Sequence, residues 1–414
     1  MRKITGAFTA MLAVAAMGFA TGANAQEPEA PPPVAIEIMP LDLADGQLGG
    51  AGGAVLREQI MGAQIVALGE EHGLAESPAL GLAIAAAMQE SGPAYHVVET
   101  GPLSLEWAER RLVAGGTASL GAGLKGRPLA LPFLNQAEDA ELALAFIDDS
   151  GSRLWAVDQE FVGAPLILLE ELAQLAPDEE ARNAVAEWLE AERAAFADGK
   201  PDAVMLFRAT TKDFDHLRGL FAGQDRAQAI IDGLAESAPI YQAYGAGKGY
   251  DSNALRIALI RALFLSHYRA APAAAPRVLL KMGAYHLGRG TTPTFMHDLG
   301  SLVDGLAAAG GGRSLHIAYM PLGGEQLAMQ PSGDGPFTRV PIGDTAVSEI
   351  MQTLNADLTP MDGQGLYLIP LSPLRPLMGN RRIRALSQDA QFLLLGFDFL
   401  VTTRGALPAT PLAE

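Results

Sequence analysis

The chain has 414 residues, of which 49% are hydrophobic and 18% are charged. This composition excludes an intrinsically disordered chain and supplies enough apolar residues for a large core. The absence of cysteine excludes disulfides, thiolate catalysis and cysteine-ligated metals. The net charge of −18 opposes nucleic acid and anionic lipid as partners, because the long-range field is repulsive.

The first 25 residues have the pattern of a secretory signal peptide. A basic start and an apolar run precede the small-residue cleavage site Ala23-Asn24-Ala25. No later stretch is apolar and free of charge over the ~20 residues that a membrane span needs. We therefore expect the signal to be removed, which leaves a periplasmic or secreted protein without a membrane span. Residues 26–34 contain four prolines and are predicted to form an extended linker.

The segment that follows alternates predicted strands with predicted helices. Short apolar runs predict buried strands at 64–69, 95–98 and 154–157. Apolar residues at helical spacing predict helices at 77–90, 103–113 and 135–147. This order implies an α/β fold with a mostly parallel central sheet flanked by helices.

The rest of the chain divides into a helical stretch and a second α/β stretch. Between 165 and 270 only helical patterns occur, which predicts a helical insertion subdomain. Strands are then predicted at 277–282, 315–319, 365–369 and 392–402, with a helix at 296–308. Glycine clusters at 49–53 and 310–312 are predicted to be turns. The expected organisation is an α/β core built from 35–164 and 271–414, interrupted by the insertion at 165–270.

Ionisable residues follow four of the predicted parallel strands. Glu70 and His72 follow the first strand, Glu99 the second, Asp158 the third, and His286 the strand after the insertion. The carboxyl ends of parallel strands line the ligand crevice of an open sheet. We therefore expect these carboxylates and imidazoles to converge on one site.

Two kinds of chemistry fit such a cluster. Carboxylates beside an imidazole orient a general base and raise its pKa, so that it activates water. Alternatively Glu70, His72, Glu99 and His286 would hold a divalent metal ion through oxygen and nitrogen ligands. The residue types serve both designs, and the sequence leaves both open.

Other polar features have structural interpretations. Glu71 and Glu160 are interpreted as helix caps or solvated turn residues. His316 lies inside an apolar strand and is interpreted as a hydrogen-bonded core histidine. The segment 121–126 matches Gly-x-Gly-x-x-Gly but follows no predicted strand, so we interpret it as a loop rather than a dinucleotide site. The Gly-x-Ser-x-Gly motif of serine hydrolases does not occur in the sequence.

Four motifs in order along the chain resemble the erythromycin esterase-like superfamily, which also contains the ChaN and the Tiki or TraB-type proteins. Residues 65–73, IVALGEEHG, are similar to the family's opening strand-turn motif, and 96–102 to its second strand, which ends in glutamate. Residues 155–159 resemble the third strand, which ends in aspartate, and 277–286 the strand that leads to the second histidine. The helices between 165 and 270 are similar to the family's helical insertion.

The resemblance implies a hydrolase that cleaves an ester or amide in a small-molecule or peptide substrate. It implies His72 as the base that activates water, with Glu70 and Glu99 as its orienting or charge partners. His286 would be a second base or would stabilise the oxyanion, and Asp158 would support the site.

Two further functions stay open. Only one residue separates Glu70 from His72, which is more similar to the ChaN and Tiki branches than to macrolide esterases, and Met282 to His286 offers one histidine where the esterases have two. The ChaN resemblance implies a periplasmic haem- or metal-binding protein, with Tyr285 and His286 as candidate axial ligands. The third possibility is a catalytically silent interaction protein that retains the scaffold.

Overall fold

The apolar runs of the sequence form twelve strands in the computed structural model, which describes residues 32–127, 129–329, 337–361, 363 and 365–413. The strands are β1 Met39–Leu41, β2 Ile65–Glu70, β3 Ala94–Val98, β4 Ile147–Asp148, β5 Gly151–Ser152, β6 Leu154–Ala156, β7 Arg277–Gly283, β8 Ser314–Tyr319, β9 Glu325–Ala328, β10 Thr338–Pro341, β11 Leu366–Pro370 and β12 Phe399–Thr402. Eight of them form the central sheet, in the order β1-β11-β12-β8-β2-β7-β3-β6.

The central sheet is mostly parallel, as predicted. β2 lies between β7 and β8 and is parallel to both, and β3 lies parallel to β7 and β6. Only β11 opposes its neighbours among the eight strands, since it pairs antiparallel with β1 and β12. The register places Glu70 opposite Gly283 on one side and Tyr319 on the other, so three strand ends meet at one edge of the sheet.

Helices make up most of the remaining described structure. They are α1 Gly50–Met61, α2 Glu76–Gln89, α3 Pro102–Leu124, α4 Ala137–Leu144, α5 Pro165–Gln174, α6 Glu179–Ala197, α7 Met205–Arg208, α8 Thr211–Leu220, α9 Asp225–Gly245, α10 Gly249–Ala270, α11 Ala284–Leu287, α12 Leu299–Ala309, α13 Ala346–Leu354, α14 Leu374–Ala385 and α15 Gln388–Gly396. Two short 3₁₀ helices lie at Ala44–Gly46 and Pro201–Ala203. From Pro165 to Ala270 every regular element described is helical, as the sequence predicted.

Both faces of β2 are covered, which explains its uninterrupted apolar sequence. Ile65 and Ala67 pack in one cluster with residues of α10 and α12, whereas Val66 and Leu68 pack in another with residues of α1 and α2. All six residues of β2 are buried. Each large aliphatic side chain contributes about 1.5–3 kcal/mol when it is buried in this way.

Three local predictions were wrong. The glycines at 49–53 largely begin α1, where a Cβ on Gly53 would come within 2.7 Å of the backbone of Leu48, so a close approach and not a turn requires glycine there. The run 392–402 is helical to Gly396 and becomes strand only at Phe399, because Ser387 caps α15 through Ala390 N. The helix predicted to end near residue 113 continues through a break at 115–116 and includes most of the segment 121–126.

The predicted signal peptide at 1–25 and most of the linker at 26–34 lie outside the described residues. Residues Val34–Glu414 form one compact unit. Within the described ranges, no helix combines the length and the apolar character that crossing a membrane requires.

Candidate active site

The carboxyl ends of the central strands border a cleft of about 600 Å³. Glu70 ends β2, Glu99 directly follows β3, and His286 lies in the short helix α11 that follows β7. All three line the cleft together with His72, although up to 216 residues separate them in sequence. Asp158, two residues beyond β6, lies behind this group and is linked to Glu99 by Arg256, which contacts both carboxylates.

His72 is held by a carboxylate on one side and by an aromatic ring on its face. Its Nδ1 lies 3.1 Å from Oε1 of Glu70, and its ring stacks on Phe133 with centroids 4.3 Å apart. A Cβ on Gly283 would lie 2.8 Å from Nε2, so glycine at the end of β7 gives the imidazole its space. The side chain is 41% exposed, which leaves the ring accessible from the cleft.

A buried lysine fixes Glu70 from behind. Nζ of Lys281 lies 2.7 Å from Oε2 of Glu70 and 2.7 Å from Oδ1 of Asp139. Burial raises the pKa of Glu70, but the charge of Lys281 and the hydrogen bond to His72 outweigh it and lower that pKa. Burial and repulsion from Glu70 raise the pKa of Asp139, although Lys281 opposes them. The ammonium therefore keeps Glu70 ionised and oriented toward His72.

The surroundings of His72 favour its protonated form. Burial alone lowers the pKa of this imidazole, because a charge loses hydration there. The hydrogen bond to Glu70 and the charges of Glu99 and Glu70 outweigh that effect and raise the pKa above 6.5. His72 therefore has the environment of a general base whose pKa is tuned upward.

Glu99 and Asp158 share one guanidinium group. Arg256 on α10 donates from Nη2 to Oε1 of Glu99 at 2.8 Å and from Nε to Oδ1 of Asp158 at 3.0 Å, and Nη2 also contacts Oδ2 of Asp158. The backbone N–H of Gly283 donates to Oε2 of Glu99 at 2.7 Å. Burial raises the pKa of Glu99, but the neighbouring cationic groups and this N–H lower it overall. Arg256 is 26% exposed and lines the cleft.

His286 lies between two carboxylates. Its Nδ1 is 2.7 Å from Oδ2 of Asp298, and its Nε2 is 3.5 Å from Oε1 of Glu99. Asp298 also caps α12, because its Oδ1 accepts the N–H of Leu299 at 2.6 Å. The His286 side chain is only 13% exposed. Each ring nitrogen therefore has a carboxylate oxygen nearby, which suits a hydrogen-bond donor better than a base.

Five residues of this arrangement were missed from the sequence: Asp139, Lys281, Arg256, Asp298 and Phe133. Lys281 did have a signal, because it is a lone charge inside the otherwise apolar run of β7. Asp298 had a weaker one, as a capping residue type before an apolar helix. Arg256, Asp139 and Phe133 had none, since they come from helices and a loop whose sequences resemble any amphipathic surface element.

A metal ion does not fit the donor set. Within the described residues, no group of three or more His, Asp and Glu side chains could hold a metal ion. The reason is that Lys281 and Arg256 already neutralise the carboxylates that the sequence offered as ligands, Glu70 and Glu99.

The haem alternative rests on Tyr285 and His286, and both are engaged elsewhere. The Tyr285 hydroxyl donates to Oδ1 of Asp389 at 2.5 Å, and its ring packs edge-on against Phe392 at the rim of the cleft. Both nitrogens of His286 face carboxylates. Axial ligation of haem would have to break these contacts, so the residues do not fit the group.

Other polar residues that the sequence analysis singled out have structural surroundings. His316 is buried, with Nδ1 2.6 Å from the Leu287 carbonyl oxygen and Nε2 2.9 Å from Oγ of Ser314. Glu160 accepts the N–H of Leu103 at 2.8 Å and so caps the start of α3. Glu71 is an exposed loop residue beside the cleft, where partial loss of hydration raises its pKa.

No protein-family model and no curated protein matches this sequence. Among solved structures, the chain is similar to a mutant erythromycin esterase in its open conformation, with a TM-score of 0.58 at 16% identity, over 90% of this chain and 98% of that one. It also matches a succinoglycan biosynthesis protein, with a TM-score of 0.48 at 12% identity over 86% and 91% of the two chains. A haem-binding ChaN of Campylobacter jejuni gives a TM-score of 0.30 at 9% identity, over 75% and 100%. The first similarity confirms, at the level of the fold, the resemblance predicted from the motifs.

Proposed function

We propose that this chain is an exported hydrolase that cleaves an ester or amide with water activated by His72. The observation that carries the proposal is the pair formed by His72 and Glu70, which is held by Lys281 and opens into a cleft of about 600 Å³. A carboxylate-oriented imidazole of raised pKa beside a cleft is the arrangement that general-base catalysis requires.

The proposed reaction follows from the positions of the ring nitrogens. Ionised Glu70 accepts the Nδ1 proton of His72, which leaves Nε2 as the acceptor of a proton from water. The water oxygen then bonds to the carbonyl carbon while the carbonyl π electrons move to oxygen. As the tetrahedral intermediate collapses, the bond to the alcohol or amine breaks and His72 returns the proton to that leaving group.

Two groups, Arg256 and His286, are placed to stabilise the negative oxygen of the intermediate. Arg256 binds its carboxylates through Nε and Nη2, and its Nη1 makes no hydrogen bond within the described residues. His286 lines the cleft, and its Nε2 lies 3.5 Å from Oε1 of Glu99, which is longer than an ordinary hydrogen bond and leaves Nε2 for the oxyanion. Donors fixed in advance around a developing oxyanion supply a large share of the rate enhancement in acyl transfer.

The fold and the amino terminus support the class and the location. The solved structure with a TM-score of 0.58 is an esterase, and we extend to this chain only the class of reaction that its name describes. Export rests on the signal-like residues 1–25 of the sequence. The shorter Glu70–His72 spacing leads us to leave the substrate open between small-molecule esters and peptides.

The test is a panel of carboxylic esters and peptide amides, assayed with the parent protein, His72→Gln and His216→Gln. His216 is an exposed histidine on α8 and serves as the matched control. We expect the parent to hydrolyse at least one class, His72→Gln to lose about 10³-fold in kcat/KM, and the control to match the parent. Turnover retained in His72→Gln, or none across the whole panel, would contradict the proposal.

A further inference from the structure

A second cavity of about 540 Å³ lies between α3, α5 and α9, and none of its lining residues belongs to the cleft described above. Its wall contains Trp107, Arg110 and Arg111 from α3, Glu171 from α5 and Arg226 from α9. The proposed hydrolysis uses none of these side chains. The cavity therefore requires its own explanation.

Arg111 is fixed in one position at this cavity. Its guanidinium carbon lies 3.4 Å from the centroid of the Trp107 ring, and its Nη1 donates to the Trp107 carbonyl oxygen at 3.0 Å. A Cβ on Gly123 would lie 2.4 Å from Nε of Arg111, so the glycine makes room for the guanidinium. This packing explains Gly123 of the segment 121–126 without a nucleotide loop.

Arg111 differs from the arginines around it because it has no carboxylate partner in the described structure. Arg110 and Arg226 share Glu171, with N–O distances of 2.5 and 2.6 Å, and Arg226 also contacts Glu106. Arg127 and Arg193 share Glu170 in the same way. Burial and the charges of Arg110 and Arg127 lower the pKa of Arg111, and the charges of Glu171 and Glu170 offset them only in part.

The neighbouring Arg226 offers a second unused donor. Its Nε and Nη1 bind carboxylates, but its Nη2 is buried without a hydrogen-bond partner. The residues that line the cavity include three arginines and two glutamates, a formal surplus of one positive charge in a chain whose net charge is −18. Buried N–H donors and uncompensated positive charge at one cavity are the features that an anion satisfies.

We propose that this cavity binds an oxyanion, either the carboxylate or the phosphate group of a ligand, with Arg111 as the main donor and Arg226 as the second. A guanidinium group matches both anions because its N–H groups form a planar fork that binds two oxygens at once. Stacking on Trp107 holds the fork in place before the ligand arrives, which reduces the entropy lost on binding.

Calorimetric titration of the full chain with inorganic phosphate, and separately with acetate, tests the proposal at low ionic strength. We expect the parent to bind at least one of the two anions saturably. The anion that binds more tightly indicates whether the ligand carries a phosphate or a carboxylate group. Arg111→Gln should weaken that binding about tenfold or more. The control is Arg57→Gln. Arg57 lies on α1 and pairs with Glu90, so this variant should bind the anion as the parent does.

Three results would overturn the proposal: neither anion binds the parent, Arg111→Gln binds as tightly as the parent, or Arg57→Gln weakens binding equally. Arg111→Lys guards against a loss of folding in Arg111→Gln, because it keeps the charge and most of the stem. It should unfold at the parent's temperature and bind more weakly, since an ammonium lacks the fork. Unchanged binding by a folded Arg111→Lys would remove Arg111 as the main donor.

Discussion

The two histidines of the cleft share a residue type but differ in their surroundings. His72 is 41% exposed, with one nitrogen on Glu70 and the other toward the end of β7. His286 is 13% exposed, with Asp298 at one nitrogen and Glu99 at the other. One imidazole therefore has a nitrogen left for a substrate or water, and the other has an anion at each end.

This difference assigns the two roles. A base needs a nitrogen that is free to accept a proton, which only His72 offers. The Nδ1 of His286 is hydrogen-bonded to Asp298 and the residue lines the cleft beside Glu99, so His286 is placed to donate to a developing negative charge rather than to activate water. The partner of each ring nitrogen therefore distinguishes the two roles, and a variant at Glu70 or at Asp298 should change one ring's contacts and leave the other's in place.

The largest effect is expected for Lys281→Met, which removes the cation behind His72. The change leaves Glu70 and Asp139 buried at 5% and 8% exposure without their shared ammonium. Breaking a buried ion pair in this way costs about 3–5 kcal/mol in the free energy of unfolding. Urea unfolding monitored by circular dichroism measures it.

The double variant Lys281→Met, Asp139→Asn is the control, because it removes one of the two stranded carboxylates. It should regain about half of the lost free energy of unfolding. If the free energy of unfolding of Lys281→Met is within about 1 kcal/mol of the parent's, Lys281 does not stabilise Glu70 and Asp139 as an ion pair.

Sequence reasoning located the carboxylates and histidines that line the cleft, but not Arg256 or the groups that lie behind them. Glu70, Glu99 and His286 were predictable because parallel strands that end at one edge bring their next residues together. Arg256 was not, because a helix of the insertion supplies it, and its register over the sheet depends on packing of residues such as Ile260 and Phe264. Periodicity specifies which face of a helix is buried, but not what that face meets.

The central strands β2 and β7 were predictable for the same reason that the start of β12 was not. β2 and β7 are buried on both faces, so their sequences are continuous apolar runs. β12 has four residues and follows the apolar helix α15, and a continuous apolar run fits either element. The predicted strand at 392–402 therefore merged a helix with a strand.

An intermediate effect, on kcat/KM, is expected for variants of His286 and of its partner Asp298. His286→Asn should lower kcat/KM about 10²-fold, because it removes a donor to the oxyanion but leaves the base in place. Asp298→Asn should cost about tenfold, since its amide oxygen still accepts the Nδ1 proton. The rise of kcat/KM with pH should persist in both variants, since it belongs to His72. Loss of that rise in His286→Asn would exchange the two roles.

The smallest effect concerns the ring that covers His72. In the parent, kcat/KM should rise about tenfold per pH unit and level off above pH 6.5, because the base acts when deprotonated and its pKa is raised. We expect Phe133 to contribute to the raised pKa of His72, since its π face lies against the imidazole and favours the protonated ring. Phe133→Leu keeps the site covered but removes the π face, so the midpoint should fall by less than about one pH unit. Phe133→Tyr keeps the ring and should retain the parent's profile, and a midpoint that moves upward in Phe133→Leu would show that the ring acts by excluding water instead.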